Sequence, residues 1–351
     1  MKRIVLAYSG SLATSAAVAW LVQQHESEIV TVTLDFGQER ELSAVRERAL
    51  ALGAMRAHVI DVREEFVRDY MMPALQAGVL MEGHGLVRPL IAKRLVDVAR
   101  MEAASAVAHG GRLGSASEAA LHAETKALDP VLDVIAPARL WRMADAELVA
   151  LARARGAHVP PPDRPRTDAS LWGRLMTPEP SAVVPEDAFR LTRSPDECPG
   201  DPALVEIEFA AGVPVRANGV EMSMIELIES LETIAGAHGV GRGQSGDAVI
   251  EAPAAGVLDV AHRELETFVL GADLARLKAQ LSRVYSQALL EGRWFSDVRE
   301  AVDAFVRVIQ PRVTGTIRLE LLKGRCAVLH CRSANVADAA AVPARGRKVV
   351  A

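Results

Sequence analysis

A chain of 351 residues, half of them hydrophobic and only 4% aromatic, exceeds one typical domain and has ample apolar surface for a core. Its formal charge of -5, with the two signs interspersed, offers no basic stripe, so nucleic acid is not an expected partner. Cys198, Cys326 and Cys331 match no zinc spacing, so free thiols and no metal site are expected.

The opening MKRIVLA imitates a signal peptide, but Ser9-Gly10 cuts its apolar run short. No run is long enough for a bilayer, and a cytoplasmic protein is expected. Residues 4–8 are apolar β-formers that end in a Ser9-Gly10-Ser11 turn, and a helix follows to about Gln23. Successive N–H groups in such a turn, joined to the positive end of a helix, suit phosphate. Hydroxyls on Ser9, Ser11, Thr14 and Ser15 add donors. The pattern is neither the lysine-bearing P-loop nor the three-glycine dinucleotide fingerprint. An ordinary βα turn that binds nothing is the plain alternative.

Strand and helix then alternate. Strands are predicted at 28–35, 57–61, 105–108 and 131–137, and helices at 41–52, 62–80 with an interruption at Pro73, from Pro89 to about 104, and at 145–155. Such alternation favours a parallel sheet with right-handed crossovers. A ligand would sit beyond the carboxyl ends of the strands, where Ser9–Ser15, Gly37 and Gly110 all fall. Prolines crowd residues 156–185, and the domain boundary is placed there, giving 1–160, 161–335 and a loose tail 336–351. Beyond it, 203–210 alternates as a strand, and Asn218-Gly219 signals a hairpin. Residues 224–237 form an amphipathic helix, a long helical pattern runs from Asp259 past Ser286, and 296–310 is helical. Strands 313–322 and 327–331 turn about Lys323-Gly324.

AYSGSLATSAAVAWL resembles the nucleotide loop of argininosuccinate synthases, which usually reads AYSGGLDTS. The similarity continues through RPLIAKRLVDVAR, AVAHG, VIAPARLW, SLWGRLM, PEDAFRLTRSPDECP, VEIEFAAGVPVRANG, HGVGR, EAPAAGVL, GRWFSDVREAVDAF and RVTGTIRLELLKG, in order along residues 3–325. The resemblance implies an α/β architecture: a parallel-sheet, ATP-pyrophosphatase-type nucleotide domain (adenine nucleotide alpha hydrolase-like), an α+β synthetase domain and a C-terminal oligomerisation helix. It implies a homotetramer, ATP with Mg²⁺, and a reaction that joins citrulline to aspartate through citrullyl-AMP. Carried over position by position, the nucleotide contacts are Ala7, Tyr8, Ser9, Gly10, Ser11, Thr14, Ser15, Leu34 and Gly110. No catalytic side chain is assigned.

The amino-acid contacts do not carry over. Where the family has a threonine, an asparagine, an aspartate and an arginine in the loop after AHG, this chain has Arg112, Ala116, Ser117 and Ala120. The family's tyrosine and serine for citrulline fall on Leu80 and Gly85, two further serines on Arg166 and Leu175, and a second tyrosine on Ile250. Each lost charge-assisted bond is worth about 1.5 to 3 kcal/mol, so citrulline and aspartate should bind orders of magnitude more weakly. The loop's own aspartate is Ala13, which removes a carboxylate suited to organising Mg²⁺.

His84, Arg112, Glu118 and His122 are new polar groups near the vacated positions. They are candidate ligands for a different amino-acid-like substrate, or else solvated residues on a relaxed loop. His109, His238 and His262 are expected to serve packing. The chain is therefore expected to be a divergent paralogue and an AMP-forming carbon–nitrogen ligase with an altered substrate. A catalytically inactive binding or regulatory subunit, and a residual synthase of arginine biosynthesis, are the alternatives.

Overall fold

The computed structural model describes residues 2–24, 27–38, 41–110, 116–141, 165–179 and 182–335, with the single positions 147, 150, 153 and 154. The predicted helix at 145–155, Arg112 and the tail 336–351 fall wholly or mostly outside them. Two compact units emerge, each discontinuous in sequence: residues 1–62, 85–162 and 287–299 make the first, and 63–84, 163–286 and 300–351 the second.

The first unit is a parallel sheet. Strands β1 (Arg3–Ala7), β2 (Glu28–Asp35), β3 (Arg56–Asp61), β4 (Ala106–His109) and β5 (Asp133–Ile135) lie in the order β3-β2-β1-β4-β5. Helices α1 (Leu12–Gln24), α2 (Leu42–Ala51), α3 (Val87–Met101) and α4 (Ala116–Leu128) connect them. Strands covered on both faces need apolar residues on both, and β2 is buried from Ile29 to Leu34. The core gathers Ile4, Leu6 and Tyr8 with Ala17, Val18 and Leu21 of α1, so the turn between β1 and α1 stands on packed ground.

The second unit holds two antiparallel sheets. One comprises β8 (Ala203–Ala210), β9 (Val213–Ala217), β10 (Val220–Glu221), β13 (Gly315–Leu322) and β14 (Arg325–Arg332), in the order β10-β9-β8-β13-β14. Both predicted turns are left-handed at two successive residues, with φ of 50° and 79° at Asn218-Gly219 and 47° and 82° at Lys323-Gly324. That geometry matches the twist of the strands they join. The other sheet orders β6 (Arg166–Ser170), β7 (Gly173–Thr177), β11 (Arg242–Ser245) and β12 (Ala248–Glu251) as β11-β12-β7-β6. The sequence signalled neither of its hairpins. β6 and β7 lie inside the proline-crowded stretch, where composition masked alternation only five residues long.

Helix α5 (Met224–Ala237) begins at a capping box in which Ser223 and Glu226 satisfy one another's backbone N–H groups. The long pattern after Asp259 proves to be two helices, α6 (Pro253–Val269) and α7 (Ala272–Leu290), broken by Gly271, and α8 (Asp297–Ile309) follows. The predicted helix 62–80 is also divided. A π-helical stretch, Val67–Met71, sits between helical turns Arg63–Phe66 and Met72–Ala77. Pro73 has no N–H to give the preceding turn, and it lies in the first turn of the second piece, directly after Met72. No described helix is long and apolar enough to cross a membrane.

Candidate functional site

Ala7 is in register with His109, so the turn after β1 and Gly110 after β4 emerge side by side, where the strand order reverses direction. Tyr8 is held from two sides: its N–H donates to the Val32 carbonyl at 2.8 Å, and the Thr33 hydroxyl donates to its own carbonyl at 2.9 Å. Gly10 has φ of +73°, a backbone that L side chains rarely adopt, and its carbonyl accepts from Arg48 at 3.3 Å. The hydroxyls form a short chain. Ser11 Oγ lies 3.1 Å from Thr14 Oγ1, and Ser9 Oγ lies 3.4 Å from the same atom. Tyr8 Oη meets Ser15 Oγ at 3.2 Å, and burial pushes the Tyr8 phenol upward in pKa.

Gly110 fits against this turn. A Cβ there would come within 2.5 Å of Thr14 Cγ2, so the Thr14 methyl fills the space that a side chain at this position would need. Leu34 is buried at the end of β2, and its carbonyl accepts from the Gln38 amide at 2.7 Å while Gln38 Oε1 accepts from Phe36 N–H at 2.6 Å. Ala7, Tyr8, Ser9, Gly10, Ser11, Thr14, Ser15, Leu34 and Gly110 therefore share one edge of one sheet. Sequence reasoning missed their supports, Thr33, Gln38 and Arg48. Gln38, beside the Gly37 break, was the one with a visible signal.

Of the other candidates, Glu118 and His122 lie on α4 in the first unit, His84 belongs to the second, and Arg112 falls outside the described residues. Glu118 is corrected: it is not a solvated loop residue but a buried carboxylate engaged by Arg139, with 3% of its side chain exposed. It faces inward because α4 already begins at Ala116. His109 is buried, and desolvation pushes its imidazole down to about 4 despite the opposing charge of Glu118. Its neutral ring suits packing. His122 is exposed on α4 and Ala120 is buried. His84, half-buried in the second unit, lies 5.8 Å from the Trp172 ring. Among the described residues no group of three or more His, Cys, Asp or Glu could hold a metal ion. The three cysteines form no disulfide.

The family model described as "Arginosuccinate synthase N-terminal HUP domain" matches residues 3–158, and "Arginosuccinate synthase C-terminal domain" matches 167–339. Proteins named argininosuccinate synthase from Bacillus thuringiensis (strain Al Hakam) and Bacillus mycoides (strain KBAB4) are each 40% identical over 347 residues, spanning 93% of this chain and 86% of theirs. The chain belongs to the argininosuccinate synthase family. A solved structure titled as a predicted subunit of tRNA methyltransferase from Methanocaldococcus jannaschii covers 47% of this chain and 78% of its own, at 18% identity and a TM-score of 0.30, too slight a likeness to bear on function.

Against the argininosuccinate synthase pattern, two departures prove to be neighbours. Leu175 and Ile250, the positions at which the sequence resemblance places a family serine and tyrosine, are directly opposite one another on β7 and β12. The neighbouring residue, Glu251, has a structural role. Glu251, fully buried, accepts from the backbone N–H groups of Arg190, Leu191 and Thr192 and from the Thr192 hydroxyl, and pairs with Arg174 at 2.5 Å.

Proposed function

We propose that this protein is an ATP-dependent, AMP-forming carbon–nitrogen ligase of the argininosuccinate synthase type whose substrates are amino-acid-like but are not citrulline plus aspartate. The observation that carries this is the turn between β1 and α1, where Gly10 is left-handed and Gly110 leaves room for Thr14. The first N–H groups of α1 have no intrahelical acceptors and carry the helix's positive end, which suits the phosphates of a nucleotide. Bound ATP supplies the α-phosphorus that activates an acceptor oxygen, with pyrophosphate leaving. Ser9, Ser11 and Thr14 would hold phosphate oxygens, and Leu34 would bound the adenine side.

Mg²⁺ fits less well. Ala13 has no oxygen to offer, and Asp35 Oδ1 already accepts from Gly37 N–H at 2.9 Å. No step is assigned to the metal. By family resemblance the active form is a cytoplasmic homo-oligomer, a tetramer. His84, Arg112 and His122 stay candidates for the new substrate, whereas Glu118 is already bound to Arg139.

ATP–pyrophosphate exchange across a panel of amino and ureido acids tests the proposal. Exchange with a member other than citrulline is the expected result; exchange with none, in a folded protein that binds ATP, refutes it. Citrulline-dependent exchange would restore the family's own reaction. A second reading, a noncatalytic subunit, is favoured by one observation: the Ser9, Thr14 and Ser11 hydroxyls already bond to one another beside an Ala13 without a carboxylate. Calorimetry with ATP, with and without Mg²⁺, on the wild type and Ala13→Asp separates the two. Weak ATP binding that neither Mg²⁺ nor the aspartate improves supports the subunit.

A further inference from the structure

We propose that the outer face of the C-terminal sheet carries a site for a compact dianion of the phosphate or short-dicarboxylate kind, built by Thr316 and Arg318 of β13 with His330 and Arg332 of β14. The sequence alternates here. Ile317 and Leu319 point into the core, so Thr316 and Arg318 share the outward face. Register then sets Arg332 opposite Thr316 and His330 opposite Arg318. Strand spacing and rise make the four positions corners of a patch roughly 5 Å by 7 Å, the scale of one small anion. The side chains bound a concavity of about 130 Å³ together with Glu206, room for roughly four waters.

Charge is what makes this unusual. Like charges opposite or diagonal on a sheet repel, and sheets ordinarily interleave acids among them. Three acids, Glu206, Glu208 and Glu320, share this outward face, yet the side chains of Arg318, His330 and Arg332 have no hydrogen-bond or ion-pair partner among the described residues. No ion pair joins them to those acids. Glu208, opposite Thr316, is drawn away by Arg216 at 3.2 Å, and Glu206, opposite Arg318, bonds through its backbone N–H to Asn218 rather than through its carboxylate. Two guanidinium forks, an imidazole and a hydroxyl, all donors and none engaged, suit an oxyanion.

The test uses the full chain with imidazole carbons labelled, and His330→Asn assigns the His330 resonance. Sodium phosphate and sodium succinate are titrated separately, with sodium chloride at matched ionic strength as reference. Saturable movement of the His330 signal by phosphate or by succinate, beyond that given by chloride, is expected, and the stronger of the two names the source of the dianion. In Arg318→Gln/Arg332→Gln the apparent affinity should fall at least tenfold while the His262 resonance, deep in the same unit, stays in place. Movement equal to that in chloride, or unchanged affinity in the double variant, overturns the site. Because the reporter lies on β14, phosphate taken up at the turn after β1 does not register as success.

Discussion

Two glutamates, one in each unit, are buried to the same degree and treated oppositely. Glu251 and Glu124 are both 0% exposed. Around Glu251 the chain from Arg190 to Thr192 folds so that three backbone N–H groups and a hydroxyl converge on the carboxylate, with Arg174 beside it. Around Glu124 neither carboxylate oxygen has a hydrogen-bond partner among the described residues. Arg88 is near enough to oppose its protonation but donates instead to the carbonyls of Gly85 and Leu289. Burial therefore pushes Glu124 up to about 8, and the lesson is that burial alone sets no sign: what the surrounding donors do decides whether a carboxylate holds the fold together or strains it.

The largest effect is expected at Glu251. Replacing it with alanine leaves Arg174 and four donors unmatched in a dry site, and removing one partner of a buried ion pair costs about 3 to 5 kcal/mol. That is a large share of the roughly 5 to 15 kcal/mol that holds a typical protein folded. Denaturant unfolding of Glu251→Ala should show either this loss or no folded protein. A loss below about 1 kcal/mol would mean that the donor cage is not a stabilising feature.

Glu124→Gln should act in the other direction. Below the unfolded value of 4.5 both states are protonated, and the glutamate and the amide differ little. Between 4.5 and about 8 the unfolded chain releases the proton while the folded chain keeps it, so the wild type loses stability at about 1.4 kcal/mol per pH unit. Above the folded value the penalty is constant. The variant's advantage in melting temperature should therefore grow from pH 5 to pH 8.5 and then level off. An advantage that is equal at both pH values, or absent, would show that Glu124 finds a partner in solution.

How much of this was legible beforehand follows the range of the interactions. The turn from Tyr8 to Ser15 could be read because its signals are local: a strand, a glycine and a helix start within a dozen residues. The parallel half of the fold, with its alternating pattern, was visible for the same reason. Glu118 was not. Whether a glutamate on α4 faces solvent or Arg139 depends on a contact 21 residues away, and the small residues around it suggested a relaxed loop. The hairpins β6–β7 and β11–β12 were missed because short strands beside prolines and glycines carry too few residues to reveal a period of two. Arg48 supports the turn through the carbonyl of Gly10, a role without a sequence pattern, whereas Gln38, which holds the Leu34 carbonyl, was marked only by the Gly37 break beside it.

Glu118 is the intermediate case, and it gives the smallest expected effect. Its carboxylate is buried like the other two, but the arginine that engages it, Arg139, has a side chain that is 58% exposed. Water and salt reach the outer half of that pair, so part of what Arg139 provides is already available from solvent. Arg139→Gln should lower the melting temperature by much less than Glu251→Ala does, and added salt should narrow the gap between variant and wild type. His109 offers an independent readout. The charge of Glu118 works against the burial that holds the imidazole near 4, whereas Arg139 pushes the same ring downward. Removing the arginine should therefore raise the His109 titration, measured by proton NMR. A downward movement, or a loss of stability as large as at Glu251, would place Glu118 with the caged carboxylate and erase the graded difference between them.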